Sequence, residues 1–257
     1  MTAPAFSLRN TIVLALQQIA LAALLSLLLA GWLHIPDANA FEIASSVVLA
    51  LLIVILAGAG ESLIAFRLVK QSATTRRLLL GTGIFFAAAL LWYAISHGID
   101  RLSIKEGDWA GYLNSRFPAS LRNLFSFEHL YLLLSWIINA LRWLAAGLLS
   151  AAAFASLVCA NPLRKLLSIF RSLHYWLSLL LLAIVGSVVT DRLLSWTPGH
   201  GLRIEMLSLI LRITTVIVLN AISIALLLQA LAAAILPLHS AGTDAPETIQ
   251  PRTAEDP

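Results

Sequence analysis

Ser135, Asn139 and Arg142 stand four and three residues apart in a long apolar stretch. That spacing puts all three on one face of a helix, and Ala146 and Ser150 continue the stripe. Arg142 lies about twelve residues into its stretch, close to mid-membrane if the stretch crosses a bilayer. A charge there costs about 2.5–3.5 kcal/mol on insertion scales, so the stripe is expected to face other helices or a watered cavity. Its simplest use is a polar clamp between helices; its functional use is an anion or proton site. Glu61 is the natural counter-charge. It follows Gly58 and Gly60, small residues that let a neighbouring backbone approach. At the helical rise per residue, the depths of Glu61 and Arg142 differ by roughly 9 Å. Two long side chains can close that gap by leaning together. Arg67 or the interface offers Glu61 other partners.

A second stripe, Glu205, Ser208, Arg212 and Thr215, opens the last apolar stretch. The expected use of Arg212 is a tie between the last two helices through Asp191, with Glu205 as another carboxylate at that end. Asn220 and Gln229 carry polarity deeper, and Gln17 and Gln18 sit near the start of the first stretch, where a hydrogen bond to a neighbour accounts for them.

These residues need a membrane bundle to position them. Hydrophobic residues make up 60% of the 257 positions and charged residues 12%, about half the charge of an ordinary soluble domain. Six stretches reach the length of about 18 apolar residues that crosses the hydrocarbon core as a helix: residues 11–33, 43–66, 78–96, 130–160, 175–194 and 204–238. The expected fold is all-α, a polytopic bundle of about six transmembrane helices within residues 1–238. Nothing outside the spans is long enough to bury a core of its own.

The loops give a direction. Arg67, Lys70, Arg76 and Arg77 join the second and third spans with no acid among them, and Arg164, Lys165 and Arg171 join the fourth and fifth. The first connection has Asp37 and Glu42 and no base, and the third and fifth are mixed. The Lys/Arg bias puts both termini in the cytoplasm, N-in and C-in, and a bacterial-type plasma (inner) membrane is the expected location. Ala38-Asn39-Ala40 matches a signal-peptidase pattern, but the preceding apolar core is longer than the 7–15 residues of a signal peptide, which favours a permanent first helix.

Asn161-Pro162 reads as an N-cap and first helical position. Leu163, Leu166, Leu167 and Phe170 then recur at helical spacing, as in an amphipathic helix at the interface. The segment 98–129 holds Trp109, Tyr112, Phe117, Phe125 and Phe127, and is expected to cap the bundle or form a lid. Residues 239–257 are polar, acidic and proline-bearing, the composition of a disordered cytoplasmic tail.

Several functions lack their residues. The single cysteine, Cys159, excludes an internal disulfide and a four-thiolate metal site. Cys159 fits a buried small residue better than a lipidation site. No phosphate-binding glycine loop, nucleophile elbow or His-Glu-x-x-His occurs. His97 and His129 flank the long loop without a carboxylate–histidine motif. No catalytic residue, cofactor or metal is expected, and no nucleic-acid partner, because no basic patch is interleaved with aromatics. The expected partners are the lipid bilayer and a second membrane protein. The expected function is a non-catalytic accessory or assembly subunit. The alternatives are a small-solute or ion permease with a mid-membrane polar site and, less supported, a lipid-modifying enzyme.

Single cysteines placed at Ser72 and Ser103, in a chain whose Cys159 is replaced by alanine, are expected to react with impermeant reagents from opposite sides. Labelling of both from one side would sink the six-span topology.

Overall fold

In hydrocarbon no water is available to backbone N–H and C=O groups, so a spanning segment must satisfy them within itself as a helix. Of the nine prolines only Pro237, at the very end of the last run, falls inside an apolar run, and the described residues of the runs are helical apart from Cys159 and Ala160. The computed structural model describes residues 8–36, 38–118, 120–122, 124–196 and 201–235. Among these the elements are α1 (Leu8–Leu33), α2 (Ala40–Leu68), α3 (Thr75–Ser103), α4 (Glu106–Arg116), α5 (Phe127–Val158), α6 (Pro162–Phe170), α7 (Leu173–Ala183), a π-helical segment (Ile184–Val189), α8 (Thr190–Ser195) and α9 (Leu202–Ile235). Six helices are long and apolar enough to cross a membrane: α1, α2, α3, α5, α9 and the composite running from α7 to α8. The protein is an all-α helical bundle. The expected tail at 239–257 lies outside the described residues.

The helices form a ring in which α1 packs on α2 and α9, α2 on α3, α3 on α5, and α7 on α9. The seam between α2 and α3 is made of small residues. A Cβ on Gly58 would meet the Thr82 backbone at 3.2 Å, and one on Gly81 would strike the Ser62 side chain and, at 2.8 Å, Leu157. Gly81 and Thr82, in a Gly-Thr-Gly stretch that carries no motif, are therefore packing contacts. Two polar ties bind α1 into the ring: Gln18 Nε2 donates to Glu61 Oε2 at 3.0 Å, and Gln229 Nε2 donates to Thr11 Oγ1 at 2.8 Å. Asn39 caps α2, its Oδ1 accepting from the Glu42 N–H at 3.0 Å, while the Glu42 carboxylate accepts from the Ala38 N–H at 2.9 Å. The Ala38-Asn39-Ala40 stretch thus begins α2.

The end of the bundle that carries the basic loops is closed. Ala65, Ala151, Phe154, Ala155, Ile169, Tyr175, Leu227 and Leu231 form one buried cluster there. Helix α6 lies across it. Pro162 occupies its first turn, although the Asn161 side chain makes no cap bond. Ile169 is buried and Leu166 and Phe170 pack on the cluster, while Leu163 and Leu167 face outward. The last carbonyls of α9 have no partners within the helix. Lys165 Nζ donates to the Ile235 carbonyl at 2.9 Å and Ser168 Oγ to that of Ala234 at 2.8 Å. The Val158 carbonyl, at the end of α5, accepts from Gln71 Nε2 at 3.3 Å.

These contacts fix where the excess length of α5 and α9 must go. The 32 residues of α5 rise about 48 Å, and the 34 residues of α9 about 51 Å. The hydrocarbon core is about 30 Å thick. Both helices end beside α6, whose amphipathic surface belongs at the interface, so both project at the far end. About 18 Å at the start of α5 and about 21 Å at the start of α9 exceed that thickness.

Replacing Gly81 by leucine is expected to destabilise the detergent-solubilised protein by about 1–3 kcal/mol through overpacking. Gly83→Leu, on an exposed position with nothing within 4 Å of a Cβ, is expected to leave the midpoint of thermal unfolding within a degree or two. Equal shifts for the two variants would contradict the α2–α3 seam.

Candidate functional site

At the end away from α6 the ring parts between α5 and the α7-to-α8 composite, leaving a polar cavity. One chamber of about 550 Å³ is lined by Ser103, Glu106, Ser135, Asn139, Arg142 and Asp191, among others, including Tyr131, Trp136, Ser187 and Arg192. An adjoining chamber of about 360 Å³ shares Asn139, Arg142 and Ser187 with it and is walled by Trp92, Trp143, Ala146 and Gly186.

Three local features build this site. The first is the depth of α3. Residues 78–99 of α3 are apolar apart from single Thr, Ser and His residues and rise about 33 Å, enough to cross the hydrocarbon. Asp100, next in the chain, therefore stands at the far boundary. Arg142 Nη2 donates to Asp100 Oδ1 at 2.5 Å. The same pairing draws Arg142 toward that boundary, since Asp100 ends the apolar run of α3. The second feature is α4, which packs along that projecting end. Asn114 Nδ2 donates to the Phe125 carbonyl at 2.7 Å, and Phe117 stacks on Phe125 with ring centroids 4.5 Å apart. Glu106 is in the first turn of α4, where a helix favours an acid, and it turns into the cavity.

The third feature is the π-helical segment. Gly186 is required there, since a Cβ would come within 2.5 Å of the Trp143 ring. A π turn loosens the carbonyl ladder, and neighbouring hydroxyls take up the carbonyls: Ser187 Oγ donates to the Ala183 carbonyl at 2.5 Å and Thr190 Oγ1 to that of Val185 at 2.8 Å. The extra residue in the turn rotates the faces that follow by about 100°. Ser187, Asp191 and Arg192 then share the cavity with the α5 stripe.

The sequence-derived candidates are distributed as follows. Ser135, Asn139 and Arg142 line the cavity together. Glu61 is not with them. It accepts from Gln18, and Arg142 takes Asp100, because the two glutamate and arginine levels belong to opposite halves of the bundle. Arg212 does not tie to Asp191. It is 8% exposed, and its Nη1 donates to the carbonyls of Leu193, at 3.1 Å, and Trp196, with the guanidinium over the Trp196 ring. The physical reason is that the C-terminal carbonyls of α8 need donors and attract a cation, whereas Asp191 is in the first turn of α8 and faces the cavity. Ser208 contributes a carbonyl to Arg212 Nε, Thr215 Oγ1 donates to the Leu211 carbonyl at 2.8 Å, and Glu205 is exposed. That stripe builds no site. Asn220 Nδ2 reaches Thr190 Oγ1 at 3.4 Å.

His97 stacks on Tyr93 and the His129 ring bonds to Ser126 and the Leu124 carbonyl, so the two do not meet. Among the described residues no group of three or more His, Cys, Asp or Glu could hold a metal. Burial pushes the Cys159 thiol up, against the pull of Lys165, which makes it a poor nucleophile.

Glu106, Arg192, Asp100 and Ser187 were not singled out by the sequence reading. The first three look like loop charges. The one signal that could have found Asp100 is the length of the apolar run that ends on it.

Fold and site together define a multi-pass integral membrane protein with a polar cavity at one end of its bundle. No family model, curated protein or solved structure matches the chain.

The Arg142 and Asp100 side chains are 36% and 57% exposed, so their coupling is screened. A double-mutant cycle with Arg142→Gln and Asp100→Asn, read by thermal stability, is expected to give about 0.5–1 kcal/mol. Strict additivity would mean that the pair contributes no stability.

Proposed function

We propose that this protein is a non-catalytic accessory subunit that docks a second membrane protein through the projecting ends of α5 and α9. The observation that carries the reading is the surface of those ends. In α9, Leu207 is 70% and Leu211 67% exposed, and in α5 Trp136 is 62% exposed, with Leu132, Leu133 and Ile137 beside it. Helix ends longer than the hydrocarbon ordinarily turn polar. Contiguous apolar surface beyond it marks an interaction site, and apolar helices of a partner are the chemistry that fits. The orientation that goes with this reading puts the basic loops in the cytoplasm and the projecting ends outside, in a bacterial-type plasma membrane.

A second reading, a small-solute or ion permease, is favoured by the cavity around Arg142 and Asn139. It is opposed by the packed cluster that closes the other end. A lipid-modifying enzyme is supported least, because the cavity offers no activated nucleophile or metal set.

Mass spectrometry of protein extracted gently from its own membrane is expected to find a stoichiometric second polypeptide. A photo-crosslinking residue at Leu207 should mark it. Leu207→Glu with Leu211→Glu should reduce its capture about tenfold while leaving stability nearly unchanged, since both positions are exposed. A lone protein without adducts would overturn the proposal; loss of solute uptake in Arg142→Ala would then establish the permease.

A further inference from the structure

The cavity has unmet donors and an unmet acceptor at once. Arg142 spends Nη2 on Asp100, but its Nε is buried without an acceptor. Arg192 lines the same chamber, is exposed, and makes no side-chain bond among the described residues. Glu106 lines the same chamber, is only 5% exposed and likewise has no hydrogen-bond or ion-pair partner among the described residues. Asp191 lines the chamber as well. A buried guanidinium N–H without an acceptor is costly, and the Glu106 carboxylate faces the chamber with no counter-charge on it.

One ligand chemistry relieves both. A lone anion would satisfy the arginines but face Glu106 and Asp191. A lone amine would satisfy the carboxylates and leave the arginine donors empty. A phosphate ester that carries an ammonium group meets each with its opposite. The position of the cavity fits an amphiphile: Asp100 and Arg142 stand at the hydrocarbon boundary, and exposed Val188 is part of the cavity wall on the hydrocarbon side, where acyl chains would lie. We propose that this cavity binds the headgroup of an ammonium-bearing phosphate ester, its phosphate on Arg142 and Arg192 and its primary ammonium on Glu106 and Asp191. The two sources of that chemistry are an ethanolamine phospholipid and a soluble phosphoethanolamine ester.

The test is native mass spectrometry of the full chain released from nanodiscs that hold equal amounts of phosphatidylethanolamine, phosphatidylglycerol and phosphatidylcholine. Phosphatidylglycerol lacks the ammonium, and phosphatidylcholine lacks its N–H donors. Phosphatidylethanolamine is expected to be retained about tenfold over both, the scale of one hydrogen bond to a charged group. Glu106→Gln should abolish the preference over phosphatidylcholine, and Arg192→Gln should lower retention of the ethanolamine lipid. Should Glu106→Gln fail to fold, Asp191→Asn carries the same comparison. Soluble glycerophosphoethanolamine that displaces the lipid supports recognition of the headgroup alone; failure to displace it assigns the site to the lipid. Equal retention of the three lipids, or a preference unchanged in the carboxylate and Arg192 variants alike, would overturn the proposal. So would release of the bound lipid by inorganic phosphate as readily as by glycerophosphoethanolamine.

Discussion

The anchoring of α5 and α9 at one interface governs how everything else in the bundle is placed. Lys165 and Ser168 hold the last carbonyls of α9, and α6 follows α5 after only three residues. With that end set at the membrane surface, helix length becomes a ruler. A stretch of about 20 residues reaches the far boundary, and the residues found at that level are Asp100, Arg142, Asp191 and Arg212. Each has a polar partner or cavity there. Charges that look scattered along the sequence thus collect in one layer, where desolvation is incomplete and pairing costs less than at the bilayer centre.

The other half of the bundle is built differently. Its interior is alanine, serine and glycine between larger apolar side chains, with Ala151, Ala155, Ala225, Ala230 and Ala232 at or near zero exposure. Without a hydrophobic driving force between helices in lipid, close van der Waals approach is what holds such a half together. Its polar groups are few and local. Glu61 rests on Gln18, Gln229 on Thr11, and the hydroxyls of Ser62 and Ser223 bond back to carbonyls one turn earlier. The buried oxygens left over on Gln17 and Gln229 mark where this packing is polar without being fully satisfied.

The class of fold was legible because hydrocarbon leaves a chain few options, and run length alone decides between them. The amphipathic α6 was legible for a similar reason: its period is local. The α5 stripe could be read because Ser135, Asn139 and Arg142 keep helical spacing. Their partners could not. Pairing depends on relative depth, which a count along one apolar run does not give for another helix. That count offers Glu61 to Arg142, where the structure pairs it with Asp100. The same limit hid Glu106, whose role depends on α4 folding back against α5, and Ser187, whose direction depends on a π turn that no periodicity announces. Arg212 was given a carboxylate because sequence shows side chains; the orphan carbonyls at the end of α8 that it satisfies belong to the backbone.

The contrast between the two halves bears on what the cavity can be. A transport path needs polar lining on both sides of the membrane, or an interior that separates easily. Here the wall beneath the cavity is the cluster around Phe154, Tyr175 and Leu231, tied across by α6 and by Lys165. Parting it would expose close-packed small residues and strip the C-terminal carbonyls of α9 of their donors at the same time. The open end has the opposite character: α5 meets α7 and α9 only lightly, the π turn relaxes the facing helix, and α4 supplies a wall that is not a spanning element. A bundle so divided fits the proposed retention of an amphiphile from one leaflet better than a path through both.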